Sequence, residues 1–327
     1  MSRRRRPRVP EEAVFSSSED RIRVGHVAVA GPPIASVTTS TPNTSWISRA
    51  AEGLFSVLFP SDCRICDLPL LNISRLPVCP DCLAEIHPIT GKVCSICGER
   101  VLSAYADHEI NGMLECPVCR RMERPFERAV AYGSYDSGIR ELIHLLKFNG
   151  VRPAAGVLGR MLAESFAALE PGIGDESILV IPVPLYKGKR RQRGFNQAEL
   201  IVRAALKAYP RRNRFRLASD ILLRTRETHS QIGLTNHQRR ENLRGAFTVA
   251  RPTELTGREV LVVDDVYTTG TTASECARVL RRAGASKVWV ATVARTLKLA
   301  SNQERSFKVS TLQGFKEETE SEETLAS

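Results

Sequence analysis

An α/β domain with a mostly parallel sheet, preceded by a small cysteine-rich module, is the fold that this sequence predicts. Three observations carry that reading. Continuous apolar runs suited to buried parallel strands occur at residues 177–183, 260–263 and 287–294. Helical periodicities alternate with them, as strand–helix–strand units require. Eight of the nine cysteines stand in four Cys-x-x-Cys pairs ahead of that alternation.

Taken in order, residues 1–45 mix Arg, Ser, Thr and Pro without apolar periodicity and are expected to be disordered. Over residues 46–59, Ile47, Ala50, Ala51, Leu54, Val57 and Leu58 recur at helical spacing and predict a small helix. From Cys63 to Cys119 large apolar residues are too scarce to build much of a core alone. A strand is expected at 129–135, then a helix through Ile139, Leu142, Ile143 and Leu146. A second helix at 154–169 carries Leu158, Met161, Leu162 and Phe166 on one face. Further helices are expected at 197–208 and 271–283, the last ended by Gly284. The expected division is a disordered extension (1–45), a cysteine module with its leading helix (46–125), an α/β domain (126–300) and a disordered acidic tail (301–327).

With 42 % hydrophobic and 25 % charged residues, the 327-residue chain is neither collagen-like, mucin-like nor wholly disordered. No run reaches the roughly 18–20 apolar residues of a membrane span. The longest candidate, 24–37, is broken by His26, Gly31, Pro32 and Pro33. Arg3 to Arg6 precede it in the manner of a signal peptide, but the prolines and weak apolar content argue against one. A cytoplasmic protein is therefore expected. The net charge of +11 sits almost wholly in residues 186–244, where 16 Lys and Arg face four acids. A field this strong predicts a phosphate-bearing partner, nucleotide or nucleic acid.

The pairs Cys63/Cys66, Cys79/Cys82, Cys94/Cys97 and Cys116/Cys119 have the spacing of two structural zinc sites, each with four thiolate ligands. A disulfide framework would want a secretory context, and a thioredoxin-type site would need one pair rather than four. Sequential pairing of the motifs is favoured, while a crossed arrangement would use the same ligands. Four protein thiolates leave no open position for water, so these zincs are expected to be structural. Cys276, inside a predicted helix, is expected to be a buried apolar residue.

The sharpest feature is the run from Val260 to Thr272, VLVVDDVYTTGTT. A buried strand delivers Asp264 and Asp265 to its carboxyl end, where ligands bind in open α/β sheets. A loop of hydroxyl residues around Gly270 then enters a helix, which makes an anion site of backbone N–H groups and Thr hydroxyls. Acids beside such a site suit ribose hydroxyls and a bridging Mg²⁺. No Walker motif is present.

This run resembles the signature of type I phosphoribosyltransferases, which bind PRPP (5-phosphoribosyl-1-pyrophosphate). Pro182-Val-Pro-Leu185, the RRQRGFNQA run from Arg190 to Ala198, the segments from Arg224 to Gln231 and from Arg239 to Phe247, and Leu146-Lys-Phe148 resemble the ComF family of competence-associated proteins. That family carries a double zinc ribbon before a phosphoribosyltransferase domain, and the resemblance spans about Leu54 to Arg295. The long N-terminal extension is not typical of it. The resemblance implies that Asp264 and Asp265 bind the ribose hydroxyls as the catalytic acids. It places PRPP along Val266, Tyr267, Thr268, Thr269, Gly270, Thr271 and Thr272, with Thr268 to Thr272 at the 5-phosphate. Residues 184–187 match a pyrophosphate loop. Lys147, Lys187, Arg190, Arg191, Arg193 and Arg224 are the cations it offers to pyrophosphate or nucleic acid, and residues 224–239 correspond to a flexible loop. No general base is identified; Glu227, His229 and His237 qualify by location only.

Three functions follow from these readings. One is a PRPP- and Mg²⁺-binding protein of DNA uptake that handles single-stranded DNA, in contact with the uptake machinery. Another is an active phosphoribosyltransferase of nucleotide metabolism. The third is a PRPP-sensing regulator without catalysis. A glutamine-dependent amidotransferase is disfavoured because no cysteine follows Met1.

Overall fold

The computed structural model describes residues 62–70, 74–101, 109, 110, 113–174, 176–228 and 235–297. The extension, the helix expected over 46–59 and the acidic tail lie outside these residues. Two Cys-Pro steps open two five-residue helices, α1 (Pro80–Ala84) and α2 (Pro117–Arg121). Proline suits the first helical position, where its missing N–H would have no partner. Between the two helices, β1 (Glu109–Ile110) and β2 (Met113–Leu114) pair antiparallel.

The α/β part follows as β3 (Arg128–Ser134), α3 (Ser137–Lys147), α4 (Ala154–Leu169) and β4 (Ile178–Pro182). Next come α5 (Lys187–Arg193), α6 (Gln197–Ala208), β5 (Phe215–Leu217) and β6 (Leu222–Arg224). The remainder is α7 (Asn236–Leu243), β7 (Phe247–Val249), β8 (Glu259–Tyr267), α8 (Thr271–Arg282) and β9 (Lys287–Arg295). Five strands form one parallel sheet in the order β3-β9-β8-β4-β5, while β6 and β7 make a separate antiparallel ribbon.

Strand periodicity divides the core into two layers. Leu261 and Val263 of β8 pack with α3, α4 and α6, whereas Val260 and Val262 pack with Cys276, Ala277 and Leu280 of α8. Both faces are covered, which is why these strands read as unbroken apolar runs. The cysteine modules divide between the same layers. Cys63, Val78, Cys82 and Ile86 join the α4 side, and Cys94, Cys97, Cys116 and Cys119 join the α8 side. The chain between them crosses the outer edge of β3: Ile89 N–H donates to the Tyr132 carbonyl and Ala129 N–H to the Ile96 carbonyl, both at 2.7 Å. The open edge of the sheet is thereby capped.

The structure departs from the sequence expectations at several points. β8 continues four residues past Val263, because its backbone stays in register with β9 through Asp264 opposite Thr292 and Tyr267 opposite Arg295. The basic stretch after residue 186 is a helix, α5, with no buried residue and hence no apolar periodicity to announce it. Part of the expected flexible loop is α7, whose signal was a capping box between Thr235 and Gln238. The β6–β7 ribbon has strands of only three residues, too short for a periodicity. Among the described residues no helix is long and apolar enough to cross a membrane.

Candidate functional site

Asp264 and Asp265 are consecutive residues near the carboxyl end of β8. Asp265, 4 % exposed, forms an ion pair with Lys147, the last residue of α3. Burial alone would raise the Asp265 carboxyl, but the Lys147 ammonium outweighs it and holds the group below the usual carboxylate range. Lys147 shows the converse: burial disfavours its charge, the acids more than offset that, and the net shift is upward. Asp264 is pushed well above the ordinary range, first by burial and then by the charge of Asp265. Its carboxylate accepts the Asp265 N–H at 2.9 Å. The surroundings thus favour charge on Asp265 and disfavour it on Asp264.

Two further cations reach the field of the pair. Arg193, at the end of α5, is lowered by burial and drawn back by Asp265, and its guanidinium lies 5.8 Å from the centre of the Phe148 ring. Arg224, at the end of β6, is lowered by burial and drawn back by Asp264. Of the six cations named from the sequence, Lys147 contacts Asp265, and Arg193 and Arg224 lie within the field of the pair. Lys187, Arg190 and Arg191 stand exposed on α5, with Arg190 3.9 Å from Glu199. Glu227 and His237 are exposed, and His229 lies outside the described residues.

The loop after β8 turns at Gly270, whose φ of +75° is left-handed. A Cβ there would also run into the Tyr267 phenol, with Cζ at 2.5 Å. Gly270 caps α8 without a side-chain hydrogen bond, so the first-turn N–H groups face the loop. Thr269 and Thr271 share a hydroxyl hydrogen bond at 2.8 Å, and Arg239 donates to the Thr268 hydroxyl at 3.5 Å. Val266 is half-buried, and Tyr267 lies beneath the loop at 4 % exposure. Tyr267, read from the sequence as a ligand contact, packs against Gly270 and also lines the cavity beside the loop.

Beside that loop a cavity of about 1000 Å³ opens against the second cysteine module. Arg124, Arg239, Arg278 and Arg295 line it. Sequence reasoning missed Arg295; its only signal was a charge closing an otherwise apolar strand.

Two clusters of four thiols form, Cys63/Cys66/Cys79/Cys82 and Cys94/Cys97/Cys116/Cys119, each with its sulfurs within 4.8 Å of one another. The pairing is sequential, not crossed. Sulfur separations of 3.8 Å between Cys66 and Cys79, and 3.7 Å between Cys97 and Cys116, are far too long for a disulfide bond. They match the edge of a tetrahedron with metal–sulfur bonds of about 2.3 Å. The donor set fits a closed zinc site. Cys276 belongs to neither cluster and is fully buried in α8.

A parallel sheet with acids and a hydroxyl-rich loop at the carboxyl end of its central strand defines a phosphoribosyltransferase-type domain, and residues 219–324 match the phosphoribosyl transferase domain model. The chain is 33 % identical over 240 residues to the DNA utilization protein YhgH of Escherichia coli O6:H1, covering 73 % of this chain and 98 % of that protein. Competence protein F of Haemophilus influenzae is 30 % identical over 230 residues, covering 69 % and 93 %. Competence protein ComFC of Bacillus subtilis is 25 % identical over 210 residues, covering 63 % and 79 %. The chain belongs to the ComF family of these proteins. The solved allosteric regulatory enzyme of purine biosynthesis aligns over 43 % of this chain and 25 % of its own, at 23 % identity and a TM-score of 0.27.

Proposed function

We propose that this chain binds PRPP with Mg²⁺ at the carboxyl end of β8 and serves DNA uptake in the cytoplasm by handling single-stranded DNA. The observation that carries the ligand is the buried Asp265 carboxylate held against Lys147, with Asp264 beside it and the glycine-capped start of α8 just beyond. Asp264 and Asp265 would receive the ribose hydroxyls and the metal, and Thr268 to Thr272 the 5-phosphate. Lys147, Arg193 and Arg224 would face pyrophosphate. The DNA role rests on the family and on the exposed cations of α5, Lys187, Arg190 and Arg191. The two four-cysteine clusters would each hold a structural zinc, which supplies folding energy rather than chemistry. The division at residues 45, 125 and 300 belongs to the same proposal.

A second reading, an active transferase, draws on the three cations around the acids. Charge developing on pyrophosphate at the transition state is what such groups stabilise. Calorimetry of the zinc-loaded protein with PRPP and Mg²⁺, repeated with single-stranded DNA present, tests both. Saturable PRPP binding that needs Mg²⁺ is expected; a folded, zinc-loaded protein indifferent to millimolar PRPP overturns the proposal. Release of pyrophosphate would select the transferase.

A further inference from the structure

A buried chain of contacts joins the second cysteine module to the loop after β8. Arg295, the last residue of β9, is 3 % exposed. One of its guanidinium nitrogens donates to the Cys97 carbonyl, and the other to the Glu99 carboxylate at 2.8 Å. Cys97 is a thiol of the cluster, and Glu99 sits in the same turn, where the Cys94 N–H donates to the Glu99 carbonyl at 2.8 Å. The Arg295 guanidinium also lies 4.8 Å from the centre of the Tyr267 ring. Tyr267 in turn supports Gly270, and the Thr296 N–H donates to the Tyr267 carbonyl at 3.0 Å. Gly98 shows how tight this packing is. A Cβ there would lie 3.0 Å from the Ala129 carbonyl oxygen and 3.5 Å from the Arg295 guanidinium.

Among the described residues the first module shows no such link. Its described contacts run to the other layer of the core, through Ile86, Tyr132 and the Arg64–Glu141 pair at 3.6 Å. The two clusters look alike in sequence and differ in what they touch.

We infer that Arg295 is a positioning residue for the anion loop: it transmits the order of the second four-cysteine cluster through Tyr267 to Gly270. The first cluster supports the fold without acting on that loop. Physically, a planar guanidinium hydrogen-bonded on one side and stacked on the other has little freedom. Tyr267 rests against it, so the position of the phenol depends on the turn from Cys94 to Glu99. Gly270, with no Cβ, packs directly against that phenol, so a shift of the phenol is felt at the loop. Coupling of this kind is reciprocal: whatever orders the loop must also hold the cluster.

The inference rests on the proposed PRPP site, and the full-length, zinc-loaded chain tests it. Zinc release driven by a mercurial thiol reagent is followed by a zinc dye, with and without PRPP–Mg²⁺. The ligand is expected to slow one of two release phases by about fivefold or more, within the usual range of coupling between sites. Cys66→Ser, which removes the first cluster, should keep the protected phase. Arg295→Lys keeps the charge and loses the fork; it should abolish protection and weaken PRPP binding about tenfold. PRPP binding that leaves both phases unchanged, or that protects the first cluster, overturns the coupling alone. Protection that persists in Arg295→Lys removes Arg295 from it. Absence of PRPP binding to the wild type overturns the coupling together with the function proposed above.

Discussion

Asp264 and Asp265 are neighbours with opposite protonation tendencies, and the difference is one of partner. Lys147 reaches Asp265 and not Asp264. A Mg²⁺–PRPP complex favours both carboxylates ionised, so binding should release a proton from Asp264 over the pH range in which that carboxyl is protonated. Affinity should then rise with pH by up to about tenfold per unit below the raised Asp264 value and level off above it. Calorimetry in two buffers of different ionisation enthalpy measures that proton directly, and no exchange would contradict the assignment. At Gly270 a Val meets two obstacles, a left-handed φ and the Tyr267 phenol. Gly270→Val should lose PRPP binding while circular dichroism and zinc content stay at wild-type values. Thr271→Val should cost about 1–3 kcal/mol of binding if its hydroxyl donates to a charged phosphate. Equal PRPP affinity in folded Gly270→Val would move the site elsewhere.

Helix α5 holds two kinds of cation. Arg193, nearest its end, lies in the field of Asp265 and donates to Gln197 at 2.5 Å, whereas Arg190 and Arg191 face solvent. Arg190→Gln with Arg191→Gln should lower the salt slope of single-stranded DNA binding by about 1.4, at roughly 0.7 per lost phosphate contact. PRPP affinity should hardly change in that variant. Arg193→Gln should show the reverse, and a triple variant with an unchanged slope would take α5 off the DNA path. The cysteine modules are also elements with separable fates. Cys79 opens α1 and its sulfur accepts the Cys82 N–H at 3.4 Å, so it serves as both cap and ligand. Cys79→Ser should reduce elemental zinc from about two ions per chain to about one.

Across the whole molecule the modules close the outer edge of β3 and contribute to both layers of the core. Their metals should therefore stabilise the α/β sheet and not only themselves. Stripping zinc should lower the midpoint of thermal unfolding, with the helix signal and the emission of Trp289, buried in β9, moving together. A cysteine region that melts while Trp289 emission holds would show two independent bodies.

What the sequence by itself determined was whatever is written in local order. The helix at 154–169 and that at 197–208 were legible because an apolar stripe repeats along one face. The acids and the hydroxyl loop were legible because strand, turn and helix start are consecutive in the chain. The cysteines were legible as ligands because a metal fixes their spacing. Three things were left to the tertiary structure. It chose sequential over crossed thiol pairing, since both use the same eight residues. It brought Lys147 to Asp265 across 118 positions of chain, and a lysine ending an amphipathic helix gives no sign of such a partner. It set Arg295 between a cysteine cluster and Tyr267. Contacts between residues far apart in the chain form only when the sheet assembles, and no local pattern encodes them.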